Sequence, residues 1–417
     1  MSSAIKHFDV AVIGGGPAGM IAAGKAAEAG ASVILIEKNS KLGKKLLITG
    51  GGRCNITNAE YDSKKLVAKY GKKGKALFGA FARFGVEDTF SFFEERGLPL
   101  KIEAEKRAFP KSNKALDVWS VLLSYLKEQK VKVVYNTAVK GLKVNSEKIS
   151  GVISSVGMIT ADNYIIATGG KSRPETGSTG EGFEWMKKIG HSVNESDSAL
   201  VPITIEEKWL KDLSGLSFAD ATISAFQDNK KQCSKSGKLL FTHFGLSGPL
   251  ALNISKDVSE LFKYAPVQLQ VDVLPKLNPE QVDTQLLQII NSSLNKKVRN
   301  ILGAIIPPKF IAATLENSGI DSEKESRDVT RAERQKIGKF LKNIPLTITG
   351  FLGVDKAIVT SGGVSLNEID FKTMRSKLYS NLFLAGDILD FDRPSGGFSL
   401  QICWTTGAIA GENAAKK

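Results

Sequence analysis

The sequence predicts an α/β protein. Both chain ends build one nucleotide-binding domain around a parallel sheet, and the middle forms an inserted second domain of small barrel or sheet plus helices. Three observations carry this prediction. Residues 8–37, FDVAVIGGGPAGMIAAGKAAEAGASVILIE, run in the order strand, glycine turn, small-residue helix, strand, acid. Apolar strands that close on glycine recur over 163–170, 357–363 and 381–387. Between them, from about residue 198 to residue 357, short strands alternate with helices and no glycine-rich phosphate loop occurs. The boundaries implied are 1–197 and 358–417 for the nucleotide domain, and 198–357 for the insert.

The first unit specifies its own ligand class. Gly14 permits the tight turn after the strand, Gly16 lets backbone approach a pyrophosphate, and Gly19 lets the helix sit close on the strand. The helix beginning at Pro17 then presents free N–H groups to the phosphates. Glu37 follows Gly14 by 23 residues and is placed to hold a ribose. A bare GxGxxG says little, but here the strand, the helix and the terminal acid all accompany it.

Length and composition narrow the setting. A chain of 417 residues exceeds one typical core, so two or three domains are expected. Its 42% hydrophobic and 24% charged residues are those of a soluble globular protein. The apolar beginning contains Lys25 and Glu28 and reads as a folded βαβ unit, so neither a signal peptide nor a membrane span is expected. Cys54, Cys233 and Cys403 lie far apart without a CxxC pair, which argues against a metal site, a disulfide framework or a dithiol centre. A reducing cytoplasm is the simplest setting. The net charge of +14 includes Lys44-Lys45 and Lys72-Lys73 without one long basic tract. Solubility and attraction of anionic ligands account for it, with nucleic-acid binding the lesser reading.

After the acid, residues 38–58 hold too many glycines for a continuous element. Gly50, Gly51 and Gly52 let backbone N–H groups converge on a ligand, with Arg53 and Asn55 beside them, so a cofactor-contacting loop is expected. Residues 61–129 have helical apolar spacing, interrupted by a hairpin or arm over 98–110. A strand over 131–135 and a small antiparallel sheet over 138–144 and 149–156 lead to the buried strand 163–167, which closes on Thr168-Gly169-Gly170. The turn at 176–180 opens a helix over 181–189. In the insert, strands are expected over 202–205, 221–226 and 267–273, and helices over 279–294, 308–317 and 331–341. There His243 stands between two phenylalanines beside a Gly-Leu-Ser-Gly-Pro turn, a weak candidate for proton transfer. Finally, 381–387 delivers Asp387 from a glycine turn. Gly396-Gly397-Phe398 opens a long small-residue helix over 399–415, whose N-terminus favours negative charge.

Taken together, DVAVIGGGPAG, TGGGRCNITN, IIATGG with TGSTG, FTHFGLSGP, VTSGGV and LFLAGDILDFDRPSGGFSLQ resemble the bacterial BaiN/YhiN-type flavoproteins, also described as aminoacetone-oxidase-like FAD-binding enzymes. The resemblance spans nearly the whole chain. It implies a glutathione-reductase-like FAD-binding Rossmann domain with the family's insert. By motif, Gly14, Gly16, Pro17, Ala18 and Gly19 meet the pyrophosphate, Glu37 and Lys38 the adenosine ribose, and Val139 the adenine through its backbone. Arg53, Cys54 and Asn55 lie on the flavin side, and Ala167, Thr168 and Gly169 close over the nucleotide. Gly386 and Asp387 hold the ribityl chain, with Gly397, Phe398 and Ser399 near the ring. This chain has Asp387 where many members have Glu, and residues 390–395 depart from the family's glycine-richer loop. The activity implied is FAD-dependent oxidoreduction, NAD(P)H-linked reduction of a small conjugated ketone-like substrate, with flavin amine oxidation as the alternative. Without a second GxGxxG, nicotinamide is expected to bind only transiently, over the flavin. A tRNA-modifying flavoprotein would call for a clustered basic face and a nucleophilic cysteine pair, and neither is legible.

Overall fold

A computed structural model describes residues 7–195, 200–352 and 362–416. The chain divides into two units, Met1–Asp197 with Ile358–Lys417, and Ser198–Ala357.

The first unit is organised by a seven-stranded sheet whose central strands run in the order Leu382–Leu384, Ala161–Ile166, Phe8–Ile13, Val33–Ile36, Lys132–Val134, all parallel. Val10 to Ile13 and Val33 to Ile36 are buried throughout, as expected of strands covered on both faces by helices. Beyond Leu382–Leu384 the sheet is extended by Arg375–Ser376 and Ile369–Asp370, which pair antiparallel. Two small antiparallel sheets stand beside it: Val139–Asn145, Lys148–Ser154 and Gly157–Ile159, and Thr57–Asn58, Arg107–Pro110 and Leu100–Glu103. Of the strand expected over 357–363, only Gly362 and Gly363 lie among the described residues. They belong to Gly362–Val364, which pairs antiparallel with Val193–Glu195 and stands outside the main sheet.

Glycine sets how closely the helices approach. The helix Phe398–Ala414 lies against Pro17–Glu28, where a Cβ at Gly407 would sit 2.5 Å from the Ala18 carbonyl oxygen and one at Gly411 2.3 Å from that of Ala22. Any larger residue would push the two backbones apart. On its other side the long helix anchors residues 56–58: Trp404 Nε1 donates to the Ile56 carbonyl (2.9 Å) and Thr57 Oγ1 to Gln401 Oε1. Gln401 is wholly buried, and its amide nitrogen donates to Gly85 O and Thr405 Oγ1, both at 3.0 Å. Such a buried amide is tolerated because both of its ends are bonded.

The segment 38–58, expected without a continuous element, contains the five-residue helix Lys44–Ile48 and a tight turn over Thr49–Gly52. Leu42 and Leu46 anchor it in the core, a tertiary effect that outweighs the local glycine content.

The second unit is a closed six-stranded barrel in the order Ile203–Ile205, Gly245–Ser247, Lys230–Thr242, Ser217–Gln227, Gln268–Asp272, Ile344–Phe351, with helices Pro279–Asn291, Pro308–Ser318 and Arg331–Lys342. Phe218, Phe241 and Phe310 cluster in its core. The Gly-Leu-Ser-Gly-Pro stretch expected as a turn is instead the short strand Gly245–Ser247 running into the helix Gly248–Phe262. Pro249 in the first turn suits a helix start, and Leu250, Ala251, Ile254 and Val258 bury one face.

Candidate functional site

The carboxyl ends of four parallel strands converge on one cleft of about 870 Å³ in the first unit. Gly14 follows Phe8–Ile13, Glu37 follows Val33–Ile36, Thr168 follows Ala161–Ile166 and Asp387 follows Leu382–Leu384; all four residues line it. This is the crevice where open α/β sheets bind ligands.

The three motif glycines are required for different reasons. Gly14 has φ +103°, and a Cβ there would lie 2.5 Å from the Ala167 carbonyl oxygen. At Gly19 a Cβ would lie 1.9 Å from the Gly14 carbonyl oxygen. Both are demanded by the protein's own backbone. Gly16 is not: its φ of −78° and ψ of −177° suit any residue, and a Cβ would meet nothing within 4 Å. The space in front of Gly16 therefore opens into the cleft, at the start of a helix that no side chain caps. An uncapped helix start with a free approach is an anion cradle.

At one end of the cleft, Glu37 is 7% exposed and does more than face a ribose. Its Oε2 accepts from Gly15 N (2.8 Å), and its Oε1 from Asn39 N (2.8 Å) and Asn39 Nδ2 (2.7 Å). The carboxylate thus braces the glycine turn, with one of its roughly four acceptor positions left over. Lys38 Nζ reaches Thr179 Oγ1 and Glu181 Oε2, each at 2.8 Å. Val139 and Thr137 complete this end.

At the other end, Asp387 Oδ1 accepts from Arg393 Nη1 at 2.9 Å, and the Arg393 side chain is wholly buried. Lys45 Nζ donates to Ser172 Oγ at 3.1 Å. Burial holds the Lys45 ammonium below the usual lysine range, with the Asp387 carboxylate the largest pull the other way. Burial also pushes the Cys403 thiol well above its ordinary value, so it stays neutral. Ala167, Thr168 and Gly169 lie between the two ends, and Thr168 Oγ1 is buried with no hydrogen-bond partner among the described residues.

Pro17 and Ala18 line the cleft, while Gly19 stands behind them in the helix. Gly386 lies outside the lining too, its N–H donating to Thr406 Oγ1 at 2.9 Å. Arg53, Cys54, Asn55, Gly397, Phe398 and Ser399 lie outside the lining. The residues that follow Asn55 pack directly on the 396–398 turn: Asn58 Nδ2 donates to Gly396 O at 3.3 Å, and a Cβ at Gly397 would lie 2.4 Å from the Thr57 carbonyl carbon. Arg53 is held by Glu103 (2.5 Å) and Asn113 (2.6 Å) and lies over the Phe109 ring. Cys54 is wholly buried, which raises its thiol to about 12. Asn55 Oδ1 and Ser399 Oγ are buried without partners among the described residues. His243 is exposed on the turn joining Lys230–Thr242 to Gly245–Ser247, its ring against Phe244 at 5.0 Å, in the barrel unit. Lys45, Trp185, Cys403 and the 176–182 segment also line the cleft and were not predicted as site residues. Of these, only the TGSTG run carried a signal in the sequence.

The sequence profile of the family described as "HI0933-like protein Rossmann domain" matches residues 8–413. The chain belongs to this family. Members of the HI0933-like family are FAD-dependent oxidoreductases built on an FAD-binding Rossmann domain. The chain is 30% identical over 412 residues to a 3-dehydro-bile acid delta(4,6)-reductase of Clostridium scindens, covering 98% of this chain and 99% of that protein. It is 31% identical over 403 residues to a ribosomal RNA dihydrouridine synthase of Haemophilus influenzae, covering 95% of each. Its fold matches the open conformation of a flavocytochrome c3 fumarate reductase at TM-score 0.56 and 18% identity, over 99% of this chain and 79% of that one. The cleft's features fit FAD: the open face of Gly16 suits the pyrophosphate, and the buried Thr168 hydroxyl, without a partner among the described residues, offers bonding capacity to a polar ligand. Among the described residues no His/Cys/Asp/Glu group could hold a metal ion, and no helix is long and apolar enough to cross a membrane.

Proposed function

We propose that this chain is an NAD(P)H-linked, FAD-dependent reductase of a carbon–carbon double bond conjugated to a carbonyl group, acting on a small organic substrate. The observation that carries the reading is the pair of full-length relatives. One is named for reducing double bonds beside a 3-keto group, the other for making dihydrouridine, which is uridine saturated at a bond conjugated with a ring carbonyl. The two substrates differ in everything except that motif. FAD held in the cleft would supply hydride exchange, so that a hydride taken from the nicotinamide would be passed on to the carbon β to the carbonyl and a proton added at the α carbon.

The chain's own residues bind and orient. Gly16, Pro17, Ala18 and the first turn of Pro17–Glu28 hold the pyrophosphate, with Gly14 and Gly19 shaping the turn. Glu37 and Lys38 hold the adenosine ribose, and the Val139 backbone meets the adenine. Ala167, Thr168 and Gly169 close over the nucleotide, and Gly386 with Asp387 takes the ribityl chain. Arg53, Cys54, Asn55, Gly397, Phe398 and Ser399 stand on the ring side. A wholly buried Arg393 fixes Asp387 in direction through their 2.9 Å ion pair.

A second reading, the same reaction on a uracil ring within RNA, is favoured by one feature. Lys64, Lys65, Lys69, Lys72 and Lys75 are all exposed, and among the described residues only Lys65 of these approaches a carboxylate, Asp62 at 3.8 Å. Such cations attract phosphate backbone.

Steady-state assays with NADH and NADPH separate the readings. A 3-keto-4-ene steroid converted to a product two hydrogens heavier supports the first, and dihydrouridine formed in a uridine-rich RNA supports the second. Turnover of amines alone would overturn both.

A further inference from the structure

Three lysines line the cleft, and they differ in how their charge is met. Lys38 is ion-paired with Glu181, and Lys44 Nζ is bound by Asn39 Oδ1 at 3.1 Å beside Glu37. Of the three, Lys45 is the one at the Asp387 end, where it donates to a hydroxyl, Ser172 Oγ, and no carboxylate among the described residues lies within 4 Å.

The charges around Lys45 do not cancel. Asp387 already carries a 2.9 Å ion pair to Arg393, whose side chain is wholly buried. The Cys403 thiol is kept neutral by burial. Glu175 is exposed and lies 3.8 Å from Arg173. Lys45 thus carries its charge in a partly dry end of the cleft with no carboxylate of its own among the described residues. An uncompensated charge in such surroundings is costly, so it is retained for something that becomes negative there.

We propose that Lys45 sets the redox poise of the bound cofactor, its ammonium favouring the reduced, anionic form over the neutral oxidised one and so raising the potential. This rests on FAD occupying the cleft with its ribityl end at Asp387. The pyrophosphate is the other negative group of FAD, but it is served by the open face of Gly16 and the uncapped helix start. The charged groups that bear most on Lys45 are Asp387 and Arg393.

The test compares FAD-loaded wild type with Lys45→Met, Lys45→Gln and Lys45→Arg, measuring midpoint potential by dye equilibration and ADP affinity of the apoproteins. Lys45→Met and Lys45→Gln should shift the two-electron equilibrium about tenfold toward oxidised cofactor, which is about 30 mV lower. Lys45→Arg should keep the wild-type potential, and ADP affinity should be unchanged in all three. An unchanged potential in FAD-loaded Lys45→Met and Lys45→Gln would overturn the proposal. So would ADP binding weakened tenfold, which would place the charge on the pyrophosphate, or failure of folded Lys45→Gln to retain FAD. Wild type that carries no FAD would instead remove the underlying reading.

Discussion

Gly16→Val separates what the fold needs from what the cofactor needs. At Gly16 the backbone lies at φ −78° and ψ −177°, and a Cβ meets nothing within 4 Å, so valine can be built without strain. Replacing glycine at a compatible position stabilises by about 0.4–1 kcal/mol through the unfolded state, and loss of a tolerated N-cap residue offsets a comparable amount. Stability should therefore stay within about 1 kcal/mol of wild type. The isopropyl group, however, fills the space in front of the helix start. If it displaces a pyrophosphate from two N–H donors, each charged hydrogen bond of about 1.5–3 kcal/mol is lost. The sum, about 3–6 kcal/mol, weakens FAD by about 10² to 10⁴-fold. Gly14→Ala is the control. With φ +103° and a Cβ 2.5 Å from the Ala167 carbonyl, it should cost at least about 2 kcal/mol of apoprotein stability. Urea unfolding of the apoproteins and fluorescence titration with FAD read both quantities. Gly16→Val binding FAD like wild type, or destabilised as much as Gly14→Ala, would refute this account of the turn.

Three further outcomes are expected. Asp387→Ala should both weaken FAD about tenfold or more and destabilise the apoprotein by about 1.5–3 kcal/mol, because it removes the 2.9 Å ion pair to the wholly buried Arg393 guanidinium; equal unfolding curves would show that the pair carries no weight. Lys73→Ala should cost about 2 kcal/mol, since Lys73 Nζ lies 2.6 Å from the nearly buried Asp390 carboxylate and its loss leaves, among the described residues, Asn194 Nδ2 (2.7 Å) as the remaining side-chain donor. Lys72→Ala, at an exposed side chain with no ion-pair partner among the described residues, should stay within about 0.5 kcal/mol, and equal effects of the two would discard the Asp390 contact. His191 is held below its ordinary 6.5 by burial, against the pull of Glu368 at 2.6 Å, with Ser376 Oγ on its other nitrogen. The unfolded chain therefore takes up the proton first, and stability that is full above about pH 6.5 should decline as pH falls through the folded value. His191→Gln should flatten that slope in urea titrations, and an unchanged slope would assign it to other groups.

How much of this was legible depends on where each constraint arises. Phe8 to Glu37 could be read because its requirements are local: the positive φ at Gly14, the close approach at Gly19 and the acid at the next strand end all fall within one βαβ unit. The expectation that Gly397 lies near the ring, by contrast, suggests probing it by substitution, yet φ +99° and a Cβ 2.4 Å from Thr57 make any substitution there a test of folding first. Lys45 and Cys403 could not be recognised as cleft residues, since only tertiary assembly brings the Lys44–Ile48 helix and the C-terminal helix to Asp387. Lys230–Thr242 was missed because KKQCSKSGK is polar on both faces, and its strand is imposed by pairing with Ser217–Gln227 and Gly245–Ser247. The Ser376–His191–Glu368 chain shows the opposite hazard. It has the partner order of a hydrolase triad, but Ser376 is 4% exposed and its hydroxyl accepts from Leu378 N and Tyr379 N, so it staples the fold.

The central claim is that the cleft holds FAD and passes its electrons to a double bond conjugated with a carbonyl. Anaerobic spectrophotometry of the purified protein tests it most directly. One equivalent of NADH or NADPH should bleach the oxidised flavin band, and one equivalent of a 3-keto-4-ene steroid or of uridine in RNA should restore it without oxygen. A flavin that neither nicotinamide reduces, or that once reduced is reoxidised by oxygen alone, would contradict the account.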